Sequence, residues 1–195
     1  MIKPVKGPIK TPFDEMRPWD NPTHKHGGID IGAPVGTEIV APEDGLLFAY
    51  YALREKDGDY WPAGEAPRVD GGLPDCGIVP FPWRNYFYDM FGGILILYSL
   101  DGKRVHIFAH CHINQLENNP LFLPRLWDFN EERKKARWPI LCRHTLNNPI
   151  PVVAGQTIGK VGDAGFSTGP HLHWETHNGW QWTKWEDRPD PVTFL

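Results

Sequence analysis

Hydrophobic and polar residues alternate in short runs along much of this chain, and glycine and proline cut the runs apart. In Ile29-Asp30-Ile31 the two isoleucines share one face of an extended segment and Asp30 takes the other. Thr37 to Val40 and Gly45 to Tyr51 read as strands separated by the turn Pro42-Glu43-Asp44-Gly45. Ile94-Leu95-Ile96-Leu97-Tyr98 is the pattern of a buried strand, Asp101-Gly102 is a hairpin turn signal, and Arg104 to His112 is the return strand. Strict alternation along that return strand places His106, Phe108, His110 and His112 on one face and Val105, Ile107, Ala109 and Cys111 on the other. Near the C-terminus, Gly169-Pro170-His171-Leu172-His173-Trp174-Glu175 alternates again, with His171, His173 and Glu175 on one face and Leu172 and Trp174 opposite.

Two stretches break the pattern. Residues 52–93 are rich in Gly, Pro, Trp and Tyr without a period, and residues 115–149 form a second irregular stretch. Both read as loop-rich insertions. The second contains one short helix: Asp128 and Glu131 are spaced as an N-cap and its capping-box partner, and Trp138-Pro139 is a stop, which predicts a helix over Phe129–Arg137. Its Arg133, Lys134, Lys135 and Arg137 read as a solvated face. Strands and tight turns return through Val152 to Gly162, where Gly155-Gln156-Thr157-Ile158 faintly echoes Gly36-Thr37-Glu38-Ile39 and hints at a duplicated β unit. The expected fold is all-β, mainly antiparallel sheet, in one domain spanning 1–195 with the two insertions set into it.

Composition changes this picture little. Hydrophobic residues at 41% and charged residues at 23% are those of an ordinary folded domain. A net charge of -4 argues against a dedicated nucleic-acid partner. No run is long and apolar enough to span a bilayer. Met1 to Pro8 has lysines without an apolar run behind them, so no secretory signal is expected there. The three cysteines, Cys76, Cys111 and Cys142, are irregularly spaced and form neither a disulfide framework nor a paired-cysteine metal site.

The candidate chemistry lies with the histidines. A His-x-His pair on one strand face is a common zinc-ligand arrangement, although alone it more often marks hydrogen-bonded histidines in a half-buried strand. A catalytic zinc site needs three protein ligands and one open position. His26 and Asp30 are the best candidates to complete the set, because Gly27-Gly28 between them lets the backbone fold tightly into the following strand.

Together these segments resemble a known family. His26-Gly27-Gly28-Ile29-Asp30-Ile31, followed by Ala33 to Pro42 and Asp44-Gly45, resembles the first signature of the lysostaphin/LytM-type zinc endopeptidases. Phe108-Ala109-His110 resembles their second. Gly155 to Gly159, with Gly162 through Ser167-Thr168-Gly169-Pro170-His171-Leu172-His173-Trp174-Glu175, resembles their third, and Asp190-Pro191 is similar to the family's chain end. These blocks cover a little under half of the residues and leave both insertions outside.

The resemblance implies a β-rich fold with a groove over the sheet. It implies one zinc ion held by His26, Asp30 and His173, with His110 and His171 as the two catalytic histidines. It also implies a substrate in the peptide part of bacterial cell-wall peptidoglycan, and, with no secretory signal read at the start, a phage-encoded lysin or a non-Sec route to the wall. Such a zinc ion supplies Lewis-acid polarisation of the scissile carbonyl and lowers the pKa of water to about 7. Two unligated imidazoles can move protons in that range.

There are departures from the family pattern. Phe108 stands where a tyrosine is usual, and Cys111 and His112 follow His110 in place of Leu and a small polar residue. His106 and His112, on the face of His110, either approach the groove or sit at its edge in water. Glu175 either orients a ligand histidine or is a surface carboxylate.

Four other readings rank lower. A cysteine hydrolase built on Cys111 fails because neighbours along a strand point to opposite faces, so Cys111 belongs against the core when His110 does not. Cys142 and His144 are too few for a second metal site. A non-catalytic LytM-like regulator is expected to lack zinc ligands, and all five matching positions are filled here. A cell-wall-binding module would use Trp180, Trp182 and Trp185 on sugar rings, though core packing is the commoner fate of tryptophan.

Overall fold

The computed structural model describes residues 1–16, 25–50, 93–111, 149–163, 167–179 and 188–195. The described residues form nine strands, β1 (Ile9–Thr11), β2 (Ile29–Gly32), β3 (Glu38–Val40), β4 (Gly45–Tyr50), β5 (Gly93–Ser99), β6 (Arg104–Cys111), β7 (Ile150–Val152), β8 (Thr157–Lys160) and β9 (His171–Asn178). Among the described residues the only helix is a 3-10 turn over Pro191–Phe194, capped by the Asp190 side chain on Val192 N. Most of both expected insertions, the helix expected over Phe129–Arg137, and His112, Cys142, His144, Trp180, Trp182 and Trp185 lie outside the described residues.

Among the described residues every strand pairing is antiparallel. Seven strands form one sheet in the order β1-β2-β9-β6-β5-β4-β7, and β3 pairs with β8 in a second, small sheet. The fold is thus all-β, as the alternation predicts. The echo between Gly36-Thr37-Glu38-Ile39 and Gly155-Gln156-Thr157-Ile158 has a structural counterpart. The strands that follow the two glycines, β3 and β8, are each other's partners, with Ile39 opposite Gly159, and both glycines turn at positive φ, 87° and 80°.

The core lies between the two sheets. Ile29, Ile31, Leu47, Leu95, Leu97, Phe108, Leu172 and Trp174 from the large sheet pack with Ile39, Ala41, Ile158 and Val161 from the small-sheet side. Burying a side chain such as Phe108 is worth about 3–5 kcal/mol against truncation to Ala. The opposite face of the large sheet is left to the alternate residues of β2 and β9, among them Asp30, His173 and Glu175.

Strand β6 departs from simple alternation. Leu95 faces Phe108 and Gly93 faces Cys111, so two steps along β5 answer three along β6. The extra residue is a β-bulge, and His110 takes a left-handed conformation there, φ 60°. Before the bulge, His106 and Phe108 face Thr176 and Trp174, on the core side. After it the phase is reversed: Cys111 joins Phe108 in the core, and His110 turns to the other face. Alternation alone groups His110 with His106 and Phe108, and the bulge corrects that grouping.

Candidate metal centre

Asp30 and His173 are directly opposed residues of the neighbouring strands β2 and β9, so the sheet register itself brings a carboxylate and an imidazole together. His26 arrives from the loop before β2. Its backbone is fixed by hydrogen bonds from Asp14 N to His26 O and from His26 N to Glu15 O, both 2.9 Å. The intervening Gly28 is required by close approach, since a Cβ there would fall 2.3 Å from the Trp174 carbonyl oxygen.

Three ligand atoms converge. His26 Nε2 lies 3.0 Å from His173 Nδ1 and 3.0 Å from Asp30 Oδ1, and His173 Nδ1 lies 2.8 Å from Asp30 Oδ1. All three residues are buried. The ring nitrogens that face one another are set by what the other nitrogens meet. His26 Nδ1 donates to the Pro12 carbonyl oxygen at 2.9 Å, leaving Nε2 to face inward. His173 Nε2 donates to Glu175 Oε1 at 3.0 Å, leaving Nδ1 inward.

Two imidazole nitrogens and one carboxylate oxygen are a donor set suited to zinc. Tetrahedral zinc with bonds of about 2.0–2.1 Å places its ligand atoms about 3.3 Å apart, so the triangle needs to open by only a few tenths of an ångström. The electrostatics favour a cation as well. Burial on its own would raise the Asp30 carboxyl, but hydrogen bonds from His173 and His26, and their charges, hold it well below the usual carboxylate range. Burial works against the His173 imidazolium, yet hydrogen bonds to Asp30 and Glu175, and their charges, raise it to about 9.

Two more histidines flank the triangle. His171 opens β9 and is partly exposed. Its Nδ1 donates to the Gly169 carbonyl oxygen at 2.7 Å, so Nε2 is the basic atom, and that atom stands 3.7 Å from Asp30 Oδ1. Ser167 Oγ also donates to Gly169 O, at 2.7 Å, and pins the same turn. The His110 ring, 5% exposed, packs 4.6 Å from the His171 ring and 6.2 Å from that of His173, centroid to centroid. All five residues singled out from the sequence therefore meet in one place.

Other candidates fall elsewhere. His106 sits on the core side of β6, donating from Nε2 to Glu43 Oε1 at 2.7 Å and accepting at Nδ1 from Trp174 Nε1 at 3.3 Å. It takes no part in the histidine site, contrary to the alternation argument. Cys111 is fully buried, and burial pushes its thiol up to about 12, which removes it as a nucleophile near neutral pH. Glu175 is not a surface carboxylate: it is 4% exposed, and its Oε2 accepts from His177 Nε2 at 3.0 Å and from Arg188 Nη1 at 3.2 Å. His177 was findable as the next residue on the alternating face of β9. Nothing in the local sequence marks Arg188.

No family model matches the chain by sequence, and no curated protein does. Solved structures do match. LytU aligns with a TM-score of 0.50 at 17% identity, covering 100% of this chain and 86% of that one. A zinc containing peptidase from Vibrio cholerae aligns with a TM-score of 0.50 at 16% identity, over 97% of this chain and 40% of that one. The solution structure of lysostaphin gives a TM-score of 0.50 at 16% identity, over 96% of this chain and 49% of that one. This chain thus spans less than half the length of the last two. The chain has the lysostaphin/LytM-type fold.

Proposed function

We propose that this protein is a zinc-dependent endopeptidase that hydrolyses peptide bonds in the stem peptide or cross-bridge of bacterial cell-wall peptidoglycan. The observation that carries the reading is the triangle of His26 Nε2, Asp30 Oδ1 and His173 Nδ1, with His171 Nε2 at 3.7 Å from that oxygen and His110 packed beside it. In this reading His26, Asp30 and His173 hold one zinc ion. Zinc bound there supplies Lewis-acid polarisation of the scissile carbonyl and brings the pKa of water to about 7.

The chain's own residues do the remainder. His171, with Nδ1–H committed to the Gly169 carbonyl, offers Nε2 as a base that takes a proton from the attacking water. His110, on the same face, is placed to donate to the oxyanion or to return a proton to the leaving amine. A non-catalytic regulator of the same fold is expected to have an incomplete ligand set, and the complete set here favours the enzyme.

The chain is read as one domain over 1–195, and its insertions as the walls of the groove. Tyr50, Gly93 and Cys111 share one end of the large sheet, where Gly93 pairs with Cys111, and β6 and β9 bring His110 and His171 to that end. The site of action is the bacterial cell wall, with no nucleic-acid partner. Among the described residues no helix is long and apolar enough to cross a membrane.

Digestion of purified peptidoglycans of different cross-link chemistry, with mass analysis of the products, tests the reading. New amino and carboxyl ends at one peptide bond are expected, with loss of cleavage on chelation and recovery on adding zinc. Cleavage insensitive to chelator sinks the zinc mechanism, and bound zinc with no cleavage of any wall turns the reading toward a regulator.

A further inference from the structure

Beside the five residues expected to form the site, one further side chain meets the outer nitrogen of His173. His173, Glu175 and His177 are alternate residues of β9 and share one face. Glu175 lies beneath the triangle, nearly sealed from water, with both oxygens engaged: Oε1 by His173 Nε2 at 3.0 Å, Oε2 by His177 Nε2 at 3.0 Å and by Arg188 Nη1 at 3.2 Å. Arg188 is itself 7% exposed and belongs to the C-terminal segment that continues into the Asp190-capped turn, where Pro191 is buried.

We propose that Glu175 is the positioning residue of the metal centre, holding His173 with its proton on Nε2 so that Nδ1 is offered to the metal, and that Arg188 and His177 fix Glu175 in that duty. The inference rests on the reading of His26, Asp30 and His173 as the zinc ligands. A neutral imidazole carries one N–H, and a carboxylate oxygen can only accept, so the contact at Nε2 decides which nitrogen keeps a lone pair. Nδ1 faces Asp30 Oδ1 and His26 Nε2, at 2.8 and 3.0 Å, and is the nitrogen that gives up its proton when a metal enters. His26 is served in the same way by the Pro12 backbone carbonyl, which no side-chain substitution removes. The contact at His173 Nε2 is made by a replaceable side chain. The C-terminal segment thereby becomes part of the metal site without touching the metal.

The test compares zinc affinity, by competition with a coloured chelator, in wild type, in Arg188→Met and in the double variant Glu175→Leu/Arg188→Met. The double variant replaces the buried ion pair by apolar groups of similar size, a change that proteins often tolerate. A fall of about 10–100-fold in zinc affinity is expected for the double variant in its folded form, and a much smaller fall for Arg188→Met alone. Affinity equal to wild type in the folded double variant overturns the proposal and leaves Glu175 a purely structural partner of Arg188. Should the double variant not fold, long-range proton–nitrogen spectra of the zinc-loaded wild type decide: a proton on His173 Nε2 supports the proposal, and metal on Nε2 overturns it. A wild type that binds zinc and cuts no wall defeats the endopeptidase reading while this comparison still gives its answer.

Discussion

His26 and His173 present different ring nitrogens to the same carboxylate oxygen, and each does so because an acceptor has taken the proton on its other nitrogen. His171 is built on the same principle with a different outcome. Its proton is held by Gly169 O, and its basic nitrogen stops 3.7 Å from Asp30 Oδ1, beyond the closer contacts of the triangle. The two members of the His-x-His pair are therefore expected to behave differently on substitution. His173→Ala should lower zinc content measured by metal analysis. His171→Ala should keep a full complement of zinc and lose about 10²–10⁴-fold in turnover, the usual range for a positioned proton carrier. Equal zinc loss in both would mean that the division between ligand and catalyst is wrong. The sequence presents these two histidines as equals on one strand face; their hydrogen-bond partners make them unlike.

At the scale of elements the bulge in β6 is the decisive feature. Without it His110 would point into the core beside Phe108, and Cys111 would point toward the site. One extra residue exchanges the two, and the backbone of His110 bears the cost at φ 60°. A left-handed conformation costs an L residue about 1–2 kcal/mol and glycine almost nothing. His110→Gly and His110→Ala both remove the imidazole, so their difference isolates the backbone. The glycine variant should be the more stable by about 1 kcal/mol in urea unfolding, the reverse of the order expected in a regular strand. An alanine variant at least as stable would show that the left-handed turn is not adopted. The alternation of β2 and β9 needed no such correction: Ile29, Ile31, Leu172 and Trp174 face the core, and Asp30 and His173 face away.

On the scale of the whole molecule, the large sheet separates two polar assemblies among the described residues. One is the histidine site. The other, on the core side, joins Glu43 from the turn before β4 to Arg104 and His106 of β6, with Arg104 Nε and Nη2 donating to the two Glu43 oxygens at 2.7 and 2.6 Å. Partial burial would raise the Glu43 carboxyl, but the hydrogen bonds from Arg104 and His106 outweigh it and hold it at about 2, against 4.5 for the free group. A carboxyl depressed by folding contributes stability in full above about 4.5, and that contribution is lost as pH falls toward 2. The stability gap between wild type and Glu43→Gln in urea should accordingly be widest near neutral pH and close as pH falls from about 4.5 to 2. A gap independent of pH would show that the pairing does not hold in solution.

The sequence by itself determined the all-β class, the bounds of β2 to β6 to within a residue and the core-facing residues of β2 and β9, because these follow from period-two alternation. Contiguous signatures also marked the five residues that the structure brings together. The alternation left β1, β7 and β8 without bounds, and β9 runs on past Glu175 to Asn178. Only the tertiary structure decided the face of His110, the burial of Glu175 and the part taken by Arg188. A bulge is a mismatch between two strands and leaves no period in either one. A contact across thirteen residues of chain, from Glu175 to Arg188, exists only after the C-terminal segment has packed against the sheet.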